Sequence, residues 1–454
     1  PRPRATTLAL RDLALRLDDL GPRDRRAGRA LLARPTDPDG GGLGEHHYTA
    51  PSEHACGRHV CVHWVESTAD RPPMADRDDD GRPNQVEATA GTLGHVWRTV
   101  VGDLDYRRPK SDHASASHGP NGKLDVYLAD IGGDGIYGYC VTDDPAARQG
   151  ARALSAYCVL DDDYSRRQFG GSPRGNLRVT AAHEFFHTVQ GAYDFREDPW
   201  LMEGTATWVE DEVYDGVNDN RQFLAAGPLG RPHVPLDATT YGSWVFFRFL
   251  SERFGPRVIR HVWRHAGGSR RSRYSMRAVA RVTADRGVRL RDLFADFGYR
   301  NRVPRRWYDE GRAYTGAPLT RAFRLTRGDR GTGARSVRMD HLTNRHVAFR
   351  PGRALVGPWR LQVRLDLPGR VRGAEATVLV HRRDGRLRAT RVRLNRHGNG
   401  TVRVTFSRGG VSQVVLTLTD ASSRYRCWRG TWLACRGKPR DNDLRFRYTA
   451  RAVR

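Results

Sequence analysis

Lysine and long apolar runs are the two features that this sequence most clearly lacks. Lysine occurs three times in 454 residues, so arginine supplies 74 of the 77 basic residues. The arginines are spread along the chain, which indicates a composition bias and a solvated basic surface more than a nucleic-acid-binding patch, although the net charge is +26. The most apolar stretch, "YGSWVFFRFL", is interrupted by Arg248 and is too short to span a bilayer. We therefore expect no nucleic-acid partner and no membrane span. An affinity for anionic cell surfaces stays open, and the oligomeric state is not predicted.

Cysteine is also scarce, and its six positions fall into close pairs. The predicted disulfides are Cys56–Cys61, Cys140–Cys158 and Cys427–Cys435, which locality favours over the other connectivities that six cysteines allow. The alternative for the first pair is a structural zinc site in "HHYTAPSEHACGRHVCVH", but a C-x4-C spacing is not the usual C-x2-C. Three disulfides predict an oxidising compartment, and the start at Pro1 is what a trimmed, secreted chain would show.

Three stretches of the chain differ in their hydrophobic periodicity. Residues 1–45 contain two short helical patterns and a Pro/Gly-rich linker, typical of a cap or a prosegment. Residues 46–335 begin with strands and a backing helix and then turn mostly helical, which predicts an α+β catalytic domain with a cleft between its halves. Residues 336–454 alternate apolar and polar positions, and Arg-Asp-Gly at 383–385 predicts a hairpin. We expect an antiparallel β-sandwich there, with a structural role favoured over polymer binding.

The stretch "AAHEFFHTVQGAYD", residues 181–194, carries the strongest chemical pattern. His183 and His187 are four positions apart, so on a helix both rings lie on one face and can reach one ion. Glu184 stands beside the first histidine, where it can act on a water molecule next to that ion. This is the HExxH pattern of zinc peptidases. Two helix histidines satisfied by solvent or by neighbours are the alternative.

The stretch "DPWLMEGTATWVEDE", residues 198–212, offers a third ligand. Glu203 lies in a second predicted amphipathic helix, and a carboxylate from that helix completes a three-ligand zinc site with an open fourth position. Asp194 or Asp198 is the alternative ligand. Both precede the helix in a loop, and a helix holds a ligand more accurately than a loop does.

The string "WLMEGTATWVE" resembles the W-L-x-E-G-x-A-x-x-x-E stretch of gluzincin metallopeptidases. Together with the HExxH stretch, "VHWVESTADRPPMADRDDDGRPNQVE" and "GKLDVYLADIGGDGIYGYC", it makes the chain similar to secreted bacterial zinc metalloproteases of actinobacterial and myxobacterial type, and more distantly to hyicolysin. The resemblance implies a gluzincin-like catalytic domain, a protein or peptide substrate, and Zn²⁺ held by His183, His187 and Glu203 with Glu184 catalytic. The connection between His187 and Glu203 is shorter than in other gluzincins, so their pocket details are not carried over.

The residue types assign roles in peptide hydrolysis. Zinc would supply Lewis acidity, and Glu184 would take a proton from water and pass it to the leaving amine. Thr207 and Glu210 follow Glu203 by one and two helical turns and would orient the ligands; plain helix-surface positions are equally open for both. Tyr241 is the candidate for stabilising the oxyanion, with simple packing as the alternative.

The string "DRDDDGRPNQVE", residues 76–87, has the spacing of an EF-hand-type calcium loop. Asp76, Asp78 and Asp80 occupy positions 1, 3 and 5, glycine follows at position 6, and Glu87 stands at position 12. A proline at position 8 departs from that pattern. Ca²⁺ as a second cofactor and a solvated acidic turn are both open.

The leading functional hypothesis is a secreted zinc metallopeptidase. The alternative from another class is a catalytically silent extracellular binding protein that uses the β-sandwich to hold a polymer. The complete set of His183, Glu184, His187 and Glu203 favours the enzyme, because a silent protein has no need of a general base.

Overall fold

The computed structural model describes residues 6–38, 46–267 and 274–454. These residues form helices and several β-sheets, so the fold class is α+β, as the sequence predicts. The chain divides into two compact units. The first comprises Pro1–Glu197, Thr205–Asn220 and Pro256–Ser272, and the second comprises Asp198–Gly204, Arg221–Gly255 and Arg273–Arg454. The glycine-rich part of the predicted linker, residues 39–45, lies outside the described residues.

The α-helices of the described residues all lie between Thr6 and Arg300. In chain order they are α1 (Thr6–Arg16), α2 (Pro22–Leu32), α3 (Asn84–Trp97), α4 (Arg166–Phe169), α5 (Pro173–Asp194), α6 (Pro199–Val213), α7 (Trp244–Phe254), α8 (Arg257–Ala266), α9 (Met276–Ala284) and α10 (Leu290–Arg300). Among the described residues, no helix combines the length and the apolar character needed to cross a membrane.

The first unit is built on a five-stranded sheet. Its strands are β1 (Ser52–Cys56), β2 (Val60–Val65), β3 (Leu124–Ala129), β4 (Gly138–Val141) and β5 (Tyr157–Asp161), in the spatial order β1-β2-β3-β5-β4. The three central strands are parallel, whereas β1 and β4 are antiparallel edge strands. Strands β2 to β5 are buried along their whole length, as expected for a sheet covered on both faces.

Helices cover both faces of this sheet. Apolar side chains of α1 and α2, among them Leu10, Ala14 and Leu32, share one hydrophobic cluster with Tyr139 of β4. Helices α3 and α5 contact each other, and α5 contacts β4 and β5. This close approach requires a glycine in β4, because a Cβ atom at Gly138 would lie 2.9 Å from a methyl group and 3.0 Å from a methylene group of α5.

The second unit contains two larger sheets. Their strands are β6 (Arg321–Leu325), β7 (Arg335–Met339), β8 (Thr343–Pro351), β9 (Arg360–Asp366), β10 (Ala374–Arg382), β11 (Leu387–Arg391), β12 (Asn399–Thr405), β13 (Val411–Asp420) and β16 (Leu444–Val453). One sheet has the order β11-β10-β13-β8-β6 and the other β12-β9-β16-β7, while β14 (Tyr425–Arg426) and β15 (Lys438–Pro439) pair separately. Both sheets contribute side chains to one core, including Phe349, Val363 and Phe446. We call residues 321–454 the two-sheet region.

The structure corrects several details of the predicted elements. The predicted backing helix, for which the hydrophobic pattern of residues 84–104 suggests one continuous α-helix, ends at Trp97 and continues as the wider π-helical turn Arg98–Asp103. Strand β4 was not predicted, because Gly138 reads as a turn residue, whereas the structure uses it where the strand packs against α5. The two-sheet region begins at Arg321 instead of residue 336, and it is not purely antiparallel, since β6 pairs with β8 in parallel. The hairpin at 383–385 is confirmed between β10 and β11.

Candidate functional site

Helix α5 carries the HExxH residues in the interior of the first unit. Its first turn is capped by Ser172, whose hydroxyl accepts the N–H of Gly175 at 3.0 Å. The rings of His183 and His187 lie one turn apart, with centroids separated by 4.8 Å. One potential ligand atom from each of His183, Glu184 and His187 lies within 4.8 Å of the others. The structure therefore brings these three residues together, as the spacing predicts.

Both histidines are fixed through Nδ1. His183 Nδ1 lies 2.6 Å from Glu210 Oε1, and His187 Nδ1 lies 2.8 Å from Gln190 Oε1. Gln190 Nε2 in turn donates to Thr205 Oγ1 at 3.1 Å, which orients the amide. Carboxylate and amide oxygens only accept, so each Nδ1 carries a proton, and in the neutral form of each ring the lone pair is then on Nε2. Histidines that bind metals through Nε2 have this arrangement.

The nitrogen donors of His183 and His187 could hold a metal ion. Two neutral imidazoles and a carboxylate are the ligands of many catalytic zinc sites, and both histidines are buried, at 8% and 1% exposure. A narrow pocket opens at Glu184 and is lined by Tyr137, Gly138, His183 and Glu210, among others. Its volume of about 20 Å³ gives room for about one water molecule.

Glu203 lies on α6, is fully buried, and belongs to the second unit. In that unit the helix is anchored by Trp200, whose Nε1 donates to Ser275 Oγ at 2.6 Å and whose ring stacks on Phe247. The neighbouring glycine leaves no room for a side chain, because a Cβ atom at Gly204 would meet Phe247 at 2.8 Å. Seven positions, about two helical turns, separate Glu203 from Glu210, so both lie on one face of α6. Zinc ligation by Glu203 stays a prediction.

The two aspartates considered as alternative ligands have other partners. Asp194 accepts from Arg152 Nη1 at 2.8 Å and from the N–H of Arg196 at 3.0 Å, so both its oxygens are engaged. Asp198 accepts the N–H groups of Cys435 and Arg436. Burial raises the pKa of both carboxyls to about 6. Each therefore serves a structural contact in its own unit.

Glu184 has a partner that the sequence did not indicate. The hydroxyl of Thr7, in α1, donates to Glu184 Oε2 at 3.0 Å and accepts the N–H of Cys140 at 3.0 Å. Cys140 belongs to the edge strand β4, whose other side pairs with β5. One side chain of α1 therefore contacts both the predicted general base and the open edge of the sheet.

The remaining predicted residues of the zinc site are Thr207 and Glu210 on α6 and Tyr241 on a short turn. Tyr241 lies in the short 3-10 turn Thr240–Ser243 of the second unit, and its ring stacks on Phe223 at a centroid distance of 5.0 Å. Thr207 is buried in the part of α6 that belongs to the first unit. Of the two predicted orienting residues, Glu210 contacts a histidine of the motif. The roles of Thr207 and Tyr241 stay predictions.

Three aspartates of the acidic loop at residues 76–87 lie close together in the structure. Oxygen atoms of Asp76, Asp78 and Asp80 lie within 4.8 Å of one another, and Asp76 Oδ2 accepts the N–H of Gly81 at 2.8 Å. Partial desolvation and then the charges of these three aspartates raise the pKa of Glu87. All four predicted ligands thus share one neighbourhood, at the surface. Calcium binding by this loop stays a prediction.

The three disulfides form as the cysteine spacing predicts. They are Cys56–Cys61, Cys140–Cys158 and Cys427–Cys435, and the described residues contain no free cysteine. Because Cys56 and Cys61 are bonded to each other, the structural zinc site considered for them is wrong. The second disulfide joins β4 to β5, and Cys140 Sγ lies 3.1 Å from the backbone oxygen of Glu184. It therefore braces the sheet directly beneath the HExxH helix.

Comparisons with known proteins add little to this geometry. No protein-family model and no curated protein matches the chain. Solved structures with some likeness include a beta-glucosidase from Paenibacillus barengoltzii, at 9% identity and a TM-score of 0.14 over 29% of this chain and 12% of that one. A family GH115 4-O-methyl-alpha-glucuronidase with specificity for decorated arabinogalactans matches at 11% identity and a TM-score of 0.16, over 64% of this chain and 40% of that one. The chain spans less than half the length of either protein, and at such TM-scores neither likeness bears on fold or function.

Proposed function

We propose that this chain is a secreted zinc metallopeptidase of gluzincin type that hydrolyses peptide bonds. Zinc would be held by His183, His187 and Glu203, with Glu184 as the general base. The observation that carries the proposal is the pair of Nδ1 hydrogen bonds, to Glu210 and Gln190, which leaves Nε2 of both histidines suited to one ion. A histidine pair with no metal to bind needs no such matched orientation.

The residues of the chain divide the chemical work. When bound, zinc supplies Lewis acidity and lowers the pKa of a coordinated water to about 7. Glu184 lies one residue from the first ligand, accepts a proton from water and later donates it to the leaving amine. Glu210 fixes the orientation of the His183 ring and makes this ring more basic. Gln190 fixes the orientation of the His187 ring. Burial of all these groups limits side reactions with bulk water.

Glu203 as the third ligand is supported by its position on α6. It shares a helix face with Glu210, which hydrogen-bonds His183. The Glu203 carboxylate is fully buried, and the rings of His183 and His187 are buried as well. Asp194 and Asp198 are engaged elsewhere, so they compete poorly as ligands.

The helical segment that contains α1 and α2 fits the role of a cap on this site. Thr7 donates to Glu184 and so takes a hydrogen-bonding position that a water molecule or substrate would need. The two-sheet region, which we interpret as a β-sandwich, is proposed to stabilise the catalytic unit. The three disulfides are compatible with an extracellular setting.

A combined metal and cleavage measurement tests this function. The purified full chain should contain zinc by mass spectrometry and cleave a generic protein substrate, and chelation followed by zinc addition should abolish and then restore cleavage. A double variant, His183→Ala with His187→Ala, should lack both zinc and activity. A zinc-free chain that cleaves nothing would support the silent binding protein instead.

A further inference from the structure

A second group of carboxylates lies in the first unit, apart from the HExxH motif and from the loop at residues 76–87. Asp130 directly follows β3, while Asp161 and Asp162 stand at the end of β5. These strands are parallel neighbours, with Ala129 paired to Asp161, so residues at their carboxyl ends meet at one edge of the sheet. One oxygen atom from each aspartate lies within 4.8 Å of the others.

The group differs from an ordinary acidic surface because two of its members are buried. Asp161 is fully buried, and Asp162 is 7% exposed. Asp161 accepts the N–H groups of Gly132 and Tyr164, both at 2.6 Å. Within the described residues, no other residue donates a hydrogen bond to the Asp162 carboxylate or forms an ion pair with it, and one of its oxygens lies within 4.8 Å of oxygens of the other two aspartates.

These three aspartates have no basic side chain paired with them in the described part of the chain. Among the described residues, no lysine, arginine or histidine forms an ion pair with any of the three aspartates, although arginine is abundant in the chain. Burial and then the charges of Asp161 and Asp163 raise the pKa of Asp162 to about 8. Buried, mutually repelling carboxylates are costly unless a cation or a proton offsets their charge.

We infer that Asp130, Asp161 and Asp162 form a binding site for a hard divalent cation, Ca²⁺, at the carboxyl ends of β3 and β5. The ligand atoms are all oxygens, with no nitrogen or sulfur that would select a transition metal. Carboxylates from strand ends and loops suit the flexible coordination of Ca²⁺, which uses more protein oxygens than Mg²⁺ does. The inference is independent of the proposed peptidase activity.

A cation at this place would stiffen the wall of the candidate active site. Asp161 holds the N–H of Tyr164, and the Tyr164 hydroxyl donates to the backbone oxygen of Tyr137 at 3.0 Å. Tyr137 lines the pocket at Glu184. Binding of Ca²⁺ would therefore stabilise the native state and keep this stretch of backbone in place.

The test counts Ca²⁺ bound to the chelator-treated full chain by equilibrium dialysis, alongside thermal melting with and without Ca²⁺. Asp162→Asn should bind one ion fewer than the wild type, or bind it at least tenfold more weakly, and should lose most of the calcium-dependent rise in melting temperature. Asp78→Ala, in the loop at residues 76–87, is the matched control and should retain this site. Asp130→Asn should weaken the same site, which guards against a folding defect peculiar to one variant.

Two results would overturn the inference. One is a wild-type chain that binds no Ca²⁺ and melts at the same temperature with or without it. The other is an Asp162→Asn variant and an Asp130→Asn variant that both bind as many ions as the wild type, with the same affinity. Either result would leave the proposed zinc peptidase untouched, because zinc content and cleavage are measured separately.

Discussion

Buried histidines occur in both units, and their surroundings differ. On α5, His183 and His187 lie one turn apart, and each offers Nδ1 to a side-chain oxygen. In the two-sheet region, His346 of β8 is also fully buried, but its Nδ1 meets the hydroxyl of Thr417 at 3.0 Å. Burial and then the charge of Arg302 lower the pKa of His346 to about 3.

The difference shows that burial alone does not make a metal site. His346 is a neutral core residue whose burial is compatible with a structural role and whose neighbour Arg302 repels a cation. The histidines of α5 combine burial with a second ring, a glutamate next to the first ring and two oxygen acceptors. Chemistry is therefore expected in the first unit, and stabilisation in the two-sheet region.

The largest expected effect comes from the general base. Glu184→Gln should lower kcat about 10²–10⁴-fold, because proton transfer contributes that much, and should leave the zinc content unchanged. Cleavage assays and metal analysis measure the two quantities. The matched control is Glu375→Gln, which changes a glutamate equally buried in the two-sheet region and should leave kcat unaffected. An equal loss of kcat in both variants would contradict the assignment of the chemistry to the first unit.

The next effect concerns the residue that orients His183. Glu210→Ala should weaken zinc affinity about 10–100-fold, as loss of such partners does elsewhere. Competition with a chelator of known affinity measures the change. His346→Gln is the comparison, and it should leave zinc affinity as in the wild type. Unchanged affinity in Glu210→Ala would mean that the hydrogen bond to His183 Nδ1 serves packing only.

A smaller effect, of opposite sign, is expected from the cap. Thr7→Val removes the hydroxyl that donates to Glu184, and hydrogen bonds to charged groups contribute about 1.5–3 kcal/mol, so kcat/KM for a protein substrate should rise at least about tenfold. Thr7→Ser keeps the hydroxyl and should behave as the wild type. Faster amide hydrogen exchange at Cys140 in Thr7→Val would provide a readout independent of activity. A Thr7→Val variant that is no more active than Thr7→Ser would argue against a cap.

The last effect concerns stability and not activity, and it is a pH dependence in the two-sheet region. Between about pH 6.5 and 3 the unfolded chain protonates His346 while the folded chain does not, because its folded pKa is lowered to about 3. The free energy of unfolding should therefore fall as the pH falls through this window, by at most about 1.4 kcal/mol per pH unit from this group. His346→Gln should lose this contribution in denaturant titrations at pH 7 and pH 4. If the free energy of unfolding of the wild type and of His346→Gln fell equally between pH 7 and pH 4, this prediction would be wrong.

The sequence predicted those features that depend on residues close to one another along the chain. The histidine pair, the helix of Glu203 and the three disulfides all follow from short spacings, the longest disulfide separation being 18 residues. Strand β4 was missed because Gly138 reads as a turn until α5 is packed against it. Thr7 was missed because 177 positions separate it from Glu184. Asp162 was missed because only the parallel pairing of β3 and β5 brings Asp130 beside it.

The most direct test of the central claim is the zinc content of three purified chains, measured by mass spectrometry. Wild type and Asp194→Asn should each contain about one zinc ion per chain, because Asp194 is occupied by Arg152 and Arg196. Glu203→Gln should lose tight zinc binding, since a catalytic site built on His183 and His187 needs a third protein ligand. Stoichiometric zinc in Glu203→Gln, together with its loss in Asp194→Asn, would contradict the assignment.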